Sequence, residues 1–278
     1  MITSLTISKG RRGAAWRSLP FLLALAALAL VPLGYMLALS GRGGLDEGGA
    51  GEPVWGGPWI RLIRSAPYFT TWFANSALVA VLTVGFHLFA DCAAAYVLAK
   101  RRFTGRSIVF ALVIAAMMVP RQITLIPLFL GLSRWGLADT YWGLLLPGFG
   151  DVIGIFLIRQ YLLTIPDSML EAARIDGASQ GRILRHLIFP LAKPALAVLA
   201  VLSFQHYWGD FFWPLVIMHT EPHFTLQVGL AYLVNSEFGP DYPLLAAGAC
   251  IAAIPVLAVF LIFRGAFFEG GVRAGGMK

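Results

Sequence analysis

The sequence predicts an all-α integral membrane protein with about six transmembrane helices, and three observations support this fold class. Hydrophobic residues make up 58% of the 278 residues, and Asp, Glu, Lys and Arg only 13%, whereas an ordinary globular domain carries about 25% charged residues. The mean hydropathy of +0.76 leaves too few polar side chains to cover a water-exposed surface. The apolar runs are continuous rather than alternating, which favours helices over a membrane barrel.

The same composition excludes two other classes of protein. A disordered chain contains few aromatic residues, but this one has 20 Phe, 8 Trp and 8 Tyr. A small disulfide-stabilised scaffold needs several cysteine pairs, and the sequence contains only Cys92 and Cys250. Both cysteines lie in apolar runs, so we interpret them as buried, inert thiols.

Six stretches are long enough to cross a bilayer, which takes about 20 mainly apolar residues. The predicted spans are residues 19–39, 73–99, 107–132, 141–161, 194–218 and 244–263. The first span follows a basic stretch, as a secretory signal peptide does. Its apolar run is longer than the roughly 7–15 residues that signal peptides use, so we expect a retained transmembrane helix.

The distribution of Lys and Arg predicts the orientation, because these residues concentrate in cytoplasmic loops. Sixteen of the 21 Lys and Arg residues fall in the N-terminal tail, the C-terminal tail and two loops, all on one side of the membrane in the predicted topology. Four fall on the other side, and Arg121 lies within a span. Both termini are therefore expected in the cytoplasm. The net charge of +7 reflects this topology, and nucleic-acid binding is a poor alternative.

The predicted domain organisation follows from the spans and the orientation. In chain order it comprises a cytoplasmic tail (1–18), the first span (19–39), an external loop (40–72), a five-helix core (73–263) that includes a cytoplasmic loop (162–193), and a cytoplasmic tail (264–278). The external loop becomes aromatic toward its end, and amphipathic rings favour the membrane–water interface. We expect residues 59–71 to lie on the outer membrane surface.

The cytoplasmic loop 162–193 carries the strongest indication of function. Pro166 ends the preceding helix, and Ser168 and Glu171 have the spacing of a capping box that starts a new one. Gly177 can adopt the left-handed conformation that ends a helix. The predicted helix of about two turns is marginal alone in water, so it needs a surface to pack on, and two alanines within it leave room for another backbone.

This segment resembles the EAA loop of ABC-importer permeases. The resemblance rests on Glu-Ala-Ala at 171–173, Asp-Gly-Ala-Ser at 176–179 and Pro-Leu-x-x-Pro at 190–194, which together are similar to the pattern of the carbohydrate-uptake class. It covers nearly the whole chain. Met-Val-Pro at 118–120 is similar to the family's third span, and the glycine-rich tail at 270–278 resembles that of the smaller, six-span permease of maltose-type importers.

The resemblance implies a permease subunit that moves a sugar or related polyhydroxy solute into the cell and is coupled to a separate ATPase. The implied partners are a second permease subunit in a heterodimer, two cytoplasmic ABC ATPase subunits, an external solute-binding protein and the lipid of the cytoplasmic (inner) membrane. ATP and Mg would be bound by the partner ATPase. The residues implied to couple to the ATPase are Glu171, Ala172, Ala173, Asp176, Gly177, Ala178 and Pro190.

Catalytic motifs are absent from the sequence. It contains no Gly-x-x-x-x-Gly-Lys-Ser/Thr phosphate loop, no His-Glu-x-x-His zinc pair and no Gly-x-Ser-x-Gly elbow. We therefore expect no catalytic, cofactor-binding or metal-binding residues in this chain, and we expect ATP hydrolysis in a partner subunit.

Charged residues inside the predicted spans are candidates for a translocation path, because charges are costly in lipid and usually face protein or water. The candidates are Arg121, Asp210 and Asp91. Arg121 could meet an anionic or hydroxyl-rich solute, or it could pair with another span or with a partner subunit. His87 and Asp91 lie four residues apart on one helix face, where pairing between spans is the alternative to a path.

Pro120 and Pro127 interrupt the backbone hydrogen bonding of the third span. They could form a hinge for alternating access, or they could produce a static kink. The sequence also allows a different class of function: an ion-coupled secondary transporter with His87 and Asp91 as a proton relay. That alternative explains the intramembrane charges but not the EAA loop.

Overall fold

The computed structural model describes residues 10–41, 57–234 and 241–275. Within these ranges the chain is helical and contains no β-strand. The helices, in chain order, are α1 Gly10–Gly41, α2 Gly57–Ser65, α3 Phe69–Lys100, α4 Arg106–Met117, α5 Arg121–Arg134, α6 Tyr141–Gly148, α7 Val152–Leu163, α8 Asp167–Ile175, α9 Gln180–Ile183, α10 Phe189–Leu191, α11 Lys193–Trp208, α12 Phe212–Ile217, α13 Leu226–Val234 and α14 Tyr242–Gly275.

Four stretches of the described residues are long and apolar enough to cross a membrane as single spans. These stretches are Leu19–Gly41, Phe69–Lys100, Tyr141–Leu163 and Tyr242–Gly265. Two bent helix pairs bring the total to as many as six spans. The predicted fold class, all-α with about six transmembrane helices, is confirmed.

The third predicted span, residues 107–132, is not one straight helix. It is divided into α4 and α5, which are bent by 99°. Pro120 stands at the start of α5 in an extended conformation, whereas Pro127 lies inside α5 without ending it. Proline fixes its own φ and disfavours the helical conformation in the residue before it. Each of the two prolines could therefore interrupt the helix, and the packing around it decides whether it does.

The fourth and fifth predicted spans differ from continuous helices as well. Residues 141–161 are interrupted between α6 and α7, where the Asp151 side chain caps α7 by accepting a hydrogen bond from the Ile153 N–H (3.1 Å). The predicted fifth span, 194–218, ends as a helix at Trp208, and α12 follows after a short break. Hydropathy averaged over about 19 residues does not register these breaks, because each contains a single charged residue between longer apolar runs.

Helix α3 is the central element of the bundle. It packs against α7 and α11, while α14 packs against α1 and α11. None of the apolar window of α1 is buried within the chain, and α4 has no buried residue. Such surfaces are compatible with a bilayer, because lipid tails are as apolar as the side chains that face them.

Two hydrophobic clusters hold the bundle together. One surrounds Trp72, Trp208 and Trp213, and the other surrounds Ile158 and Leu162 close to α8. We call the end of the bundle that carries α8 the α8 end, and the end that carries α2 the opposite end. Both native cysteines are free and buried, as predicted.

Helix α2 occupies part of the segment that was expected on the outer membrane surface. Leu62 and Ala66 are buried against the bundle, and Arg61 pairs with Asp241 at 2.7 Å. The segment therefore packs on α14, α1 and α3 through its apolar face.

At the opposite end, Asp139 shapes the turn between α5 and α6. It is the one non-glycine residue with a positive φ (57°) among the described residues. Its carboxylate accepts hydrogen bonds from the His219 N–H (2.9 Å), the Thr220 N–H (3.2 Å) and the Thr220 hydroxyl (2.8 Å). Burial alone would raise the pKa of Asp139, but these hydrogen bonds lower it to about 2. The turn is thereby fixed to the segment that follows α12.

Removing the charge of Asp139 is expected to destabilise the protein in a pH-dependent way. Asp139→Asn tolerates the positive φ but loses the charge-assisted bonds, which are worth about 1.5–3 kcal/mol. Because the pKa of Asp139 is lowered in the folded state, its stabilisation is complete above the unfolded pKa of about 3.9 and declines as the pH falls toward 2. The unfolding temperature of the wild type should therefore exceed that of the variant at pH 7, and the difference should shrink toward pH 3. A difference in unfolding temperature that does not change with pH would contradict this role.

Candidate functional site

Helix α8 and the segments around it form the first candidate site. The helix begins at Asp167 directly after Pro166, and no side chain caps it. The predicted capping box is therefore wrong, because Ser168 lies inside the first turn and leaves no cap role for the Ser168–Glu171 pair. The serine that caps a helix in this segment is Ser179, whose hydroxyl accepts a hydrogen bond from the Arg182 N–H at the start of α9.

The end of α8 has the geometry that the sequence predicts. Gly177 has a φ of 78°, in the left-handed region that glycine adopts without a steric cost. The Gly177 N–H donates to the Arg174 carbonyl and the Ala178 N–H to the Ala173 carbonyl, both at 3.0 Å. This pair of bonds is a Schellman motif, which stops the helix and turns the chain toward α9.

The two sides of α8 have different surroundings. Leu170 is 2% exposed and anchors the helix in the cluster around Ile158, and Ala173 packs against the same cluster. Ala173 is therefore half-buried against the chain's own core and presents less surface to a partner than Ala172 does. Ala172 is exposed, and Ile175 is 86% exposed. The outer side of α8 therefore presents an apolar side chain beside its charged ones.

The remaining residues of the predicted coupling set are arranged around that surface. Glu171, Asp176 and Gly177 are exposed, Ala178 is half-buried and Pro190 is exposed in α10. Between α9 and α10 the chain forms a π-helical turn, Leu184–Ile188, a feature that is frequent at functional sites.

Two side chains of α3 brace the α8 segment, and no motif in the sequence marks either of them. The Lys100 Nζ donates to the Ile165 carbonyl and to the Asp167 carboxylate, both at 2.6 Å, and its side chain is only 4% exposed. The Tyr96 hydroxyl donates to the Gln180 side-chain oxygen at 2.8 Å. The hydrogen bond from Lys100 lowers the pKa of Asp167. Both ends of the α8–α9 segment are thus attached to the central helix.

A cavity of about 260 Å³ forms the second candidate site. Its charged residues come from two of the helix breaks. Arg121 follows the break between α4 and α5, and Asp210 lies in the break between α11 and α12. Arg121 hydrogen-bonds to His206 and to the Tyr207 hydroxyl. The polar and aromatic residues of the lining are Arg121, Gln122, Thr124, His206, Tyr207, Asp210, Phe212, Trp213 and Thr225.

The third path candidate, Asp91, does not line this cavity. Asp91 is 2% exposed and His87 0% exposed, and ligand atoms of both lie within 4.8 Å of a carboxylate oxygen of Asp151. His87 and Asp91 do share one helix face, as predicted, but the third member comes from the cap of α7. The cluster and the cavity meet at Gly148, whose carbonyl accepts hydrogen bonds from His87 and from the Tyr207 hydroxyl.

Comparisons with known proteins add a family context to this geometry. Residues 92–267 match the family described as "Binding-protein-dependent transport system inner membrane component". The arabinooligosaccharides transport system permease protein AraQ of Halalkalibacterium halodurans is 34% identical over 220 residues, 79% of this chain and 78% of that protein. The osmoprotective compounds uptake permease protein GgtD of a Synechocystis strain is 33% identical over 290 aligned residues, 98% of this chain and 96% of that protein.

A solved structure shares the whole architecture. It is a chain of a bacterial ABC transporter involved in the import of the acidic polysaccharide alginate, with a TM-score of 0.79 and 28% identity. The match covers 95% of this chain and 100% of that one. The overall fold of this chain is therefore one already known from a solved ABC transporter.

Proposed function

Because this chain belongs to the family of inner membrane components of binding-protein-dependent transport systems, we propose that it imports a carbohydrate or related polyhydroxy solute. It is a permease subunit of an ABC importer and not an enzyme, since its relatives are permease proteins. The alternative of an ion-coupled secondary transporter is not supported by these relatives. His87 and Asp91 are also buried and do not line the cavity.

The composition of the cavity supports a polyhydroxy solute. Arg121 and Asp210 offer a donor and an acceptor for hydroxyl groups, and Trp213 and Phe212 offer apolar ring surface. Ligand sites commonly combine an apolar lining with a few convergent polar groups. The named cargo of two of the similar proteins, arabinooligosaccharides and alginate, is saccharide, which favours the same class here.

The exposed face of α8 carries the proposed coupling to the ATPases. Leu170 fixes one side of the helix in the chain's own core, whereas Ile175 and Ala172 stay uncovered. We place this face in a groove of an ATPase subunit, with Glu171 and Asp176 at the rim. The proposed assembly contains two such ATPases, and these bind ATP and Mg. It also contains a second permease subunit and an external solute-binding protein. The α8 end then faces the cytoplasm, together with both termini.

The hydrogen bonds that Lys100 and Tyr96 of α3 make to the α8–α9 segment can transmit movement of α8 to the rest of the bundle. When ATP closes the two ATPases, α8 moves with the groove that holds it. Lys100 and Tyr96 hold both ends of the α8–α9 segment against α3, so displacement of α8 reaches the central helix of the bundle. The joint between α4 and α5 at Pro120 is the proposed hinge, with Arg121 of the cavity directly after it. Pro127 lies inside α5, where the helix continues past it, and is not assigned a hinge role in this proposal.

Reconstituted transport tests this function. The assembly that copurifies with this chain is placed in liposomes with its solute-binding protein and a panel of labelled oligosaccharides, including an acidic one. ATP-dependent uptake that a protonophore does not affect supports the proposal. Uptake that needs no ATP and stops when the protonophore is added would contradict it.

Removing the Arg121 side chain is expected to weaken solute handling. Hydrogen bonds to charged groups are worth about 1.5–3 kcal/mol, so Arg121→Ala should raise the apparent KM for uptake about tenfold or more. The matched control is Arg134→Ala, which removes an exposed arginine from the other end of α5 and should leave uptake unchanged. A normal concentration dependence of uptake in a correctly assembled Arg121→Ala importer would exclude Arg121 from the path.

A further inference from the structure

A buried polar cluster between α3 and α7 is not explained by transport or by coupling. It consists of His87 and Asp91 on α3 and Asp151 at the cap of α7, with one ligand atom of each within 4.8 Å of the others. We propose that His87, Asp91 and Asp151 bind one divalent transition-metal cation that joins α3 to α7.

The hydrogen bonding of His87 leaves one ring nitrogen available as a ligand. Its Nε2 faces the Gly148 carbonyl, and because a carbonyl can only accept, Nε2 carries the proton in the neutral ring. Nδ1 then carries a lone pair, which accepts a hydrogen bond from the Ser203 hydroxyl (3.2 Å) and lies 3.8 Å from an Asp151 oxygen. Rotation of the Ser203 hydroxyl would release this lone pair to a cation. Histidines that ligate metals commonly donate their other N–H to a backbone carbonyl in this way.

The two carboxylates each direct an oxygen into the cluster. Asp151 uses one oxygen to cap α7 and turns the other toward His87. Asp91 Oδ2 is fully buried and has no hydrogen-bond partner. This oxygen fits against α7 because Gly154 has no side chain, and a Cβ at that position would overlap the Asp91 carboxylate. A buried carboxylate with an unpartnered oxygen, in a group whose ligand atoms lie within 4.8 Å of a second carboxylate and an imidazole, is the observation that points to a bound cation.

The charge balance also favours a cation. Among the described residues, neither Asp91 nor Asp151 has a Lys or Arg ion-pair partner. The α11 groups near the cluster include Ser203 and Tyr207, which are neutral, and His206, which interacts electrostatically with Asp151 and His87. Arg121 lies beyond the Tyr207 ring. Two uncompensated carboxylates in the membrane region are costly, and one divalent ion neutralises both.

The ligand chemistry selects the class of ion. One imidazole nitrogen with two carboxylate oxygens suits Zn²⁺, Mn²⁺ or Fe²⁺ better than Mg²⁺ or Ca²⁺, which prefer oxygen alone. Three protein ligands fit Zn²⁺ with a fourth position filled by Ser203 or water, and ligand atoms in such a site lie about 3.4 Å apart. Small side-chain rotations would draw the three groups together to that spacing. Gly148 and Gly150, which flank the cap of α7, line the cavity and give the ion an entry route.

Metal content and thermal unfolding of the complete assembly test the proposal. The purified importer is stripped with a chelator in the absence of nucleotide, titrated with Zn²⁺ and separately with Mn²⁺, and analysed by elemental mass spectrometry. We expect about one tightly held ion per copy of this chain and a saturable rise in unfolding temperature. Partner subunits are identical in every preparation, so differences between variants report on this chain.

Two isosteric variants assign the ion to the cluster. Asp91→Asn keeps the shape of the carboxyl, and Asp151→Asn keeps a capping oxygen for α7; both should lose the ion and the temperature rise. Asp210→Asn removes the carboxylate of the neighbouring cavity, and this variant should retain the ion and the rise in unfolding temperature. Wild-type protein that binds no ion, with an Asp91→Asn variant at least as stable, would show that Asp91 is simply protonated and would overturn the proposal. Loss of the ion in Asp210→Asn alone would overturn it as well.

Discussion

Replacing Gly177 with valine is expected to reduce both solute uptake and ATPase stimulation about tenfold or more, while the chain still inserts into the membrane. A β-branched residue held at a φ of 78° suffers at least the roughly 1–2 kcal/mol cost of left-handed backbone, and about 1.4 kcal/mol corresponds to a tenfold change in an equilibrium. Relief of this strain unwinds the Schellman turn and displaces the exposed face of α8. The measurements are uptake and ATPase rate in liposomes, with membrane insertion followed by fractionation.

The control for this prediction is Gly105→Val. Gly105 lies at the same end of the bundle with a φ of 87°, and neither glycine has a neighbour within 4 Å of the position a Cβ would occupy. The backbone strain is therefore comparable, but Gly105 lies outside the α8 segment. Gly105→Val should keep most of the activity. Equal losses in the two variants would mean that strain, and not the position of α8, causes the defect.

Replacing Lys100 with methionine is expected to uncouple ATP hydrolysis from transport. Methionine has a similar length but cannot donate to the Ile165 carbonyl or to Asp167, whose bonds to Lys100 are both 2.6 Å long. Losing hydrogen bonds to a charged donor costs about 1.5–3 kcal/mol, enough to free the start of α8 from α3. The ATPase should still bind, so the number of solute molecules moved per ATP should fall about tenfold.

A lysine at the same end of the bundle provides the matched control for Lys100. Lys193 is exposed at the start of α11, and Lys193→Met should leave the ratio of transport to hydrolysis unchanged. Lys100→Arg, which keeps the charge, should restore part of the coupling. A Lys100→Met importer with a normal transport-to-hydrolysis ratio would show that the brace does not transmit motion.

The sequence predicts the features that depend on local composition. The spans follow from apolar runs, and the left-handed end of α8 follows from Gly177, because glycine alone adopts that conformation freely. The two prolines of the third span illustrate the limit. Both offer the same local reason for a break, but only Pro120 lies at one, between α4 and α5, whereas Pro127 lies inside α5. The choice depends on the packing of α4 and α5 in the bundle.

The contacts that sequence reasoning missed join residues far apart in the chain. In the sequence, Lys100 is one of several basic loop residues that indicate orientation. Its partner Asp167 lies 67 positions away, so no local pattern connects the two. Asp151 reads as an isolated intramembrane charge, although the break before α7 brings it to His87 on α3. A helix wheel of α3 places His87 and Asp91 together but contains no information about which residue of another helix completes the group.

The central claim is that the exposed face of α8 contacts an ATPase, and thiol protection at Ile175 tests it most directly. Ile175→Cys places a reactive thiol where the native side chain is 86% exposed, while Cys92 and Cys250 are 0% and 7% exposed and give little background. Trp135→Cys, at a 76% exposed site near the opposite end, is the control. In detergent, the ATPase subunits should slow maleimide labelling at position 175 about tenfold or more and leave position 135 unaffected. Labelling at position 175 that is equally fast with and without bound ATPases would contradict the claim.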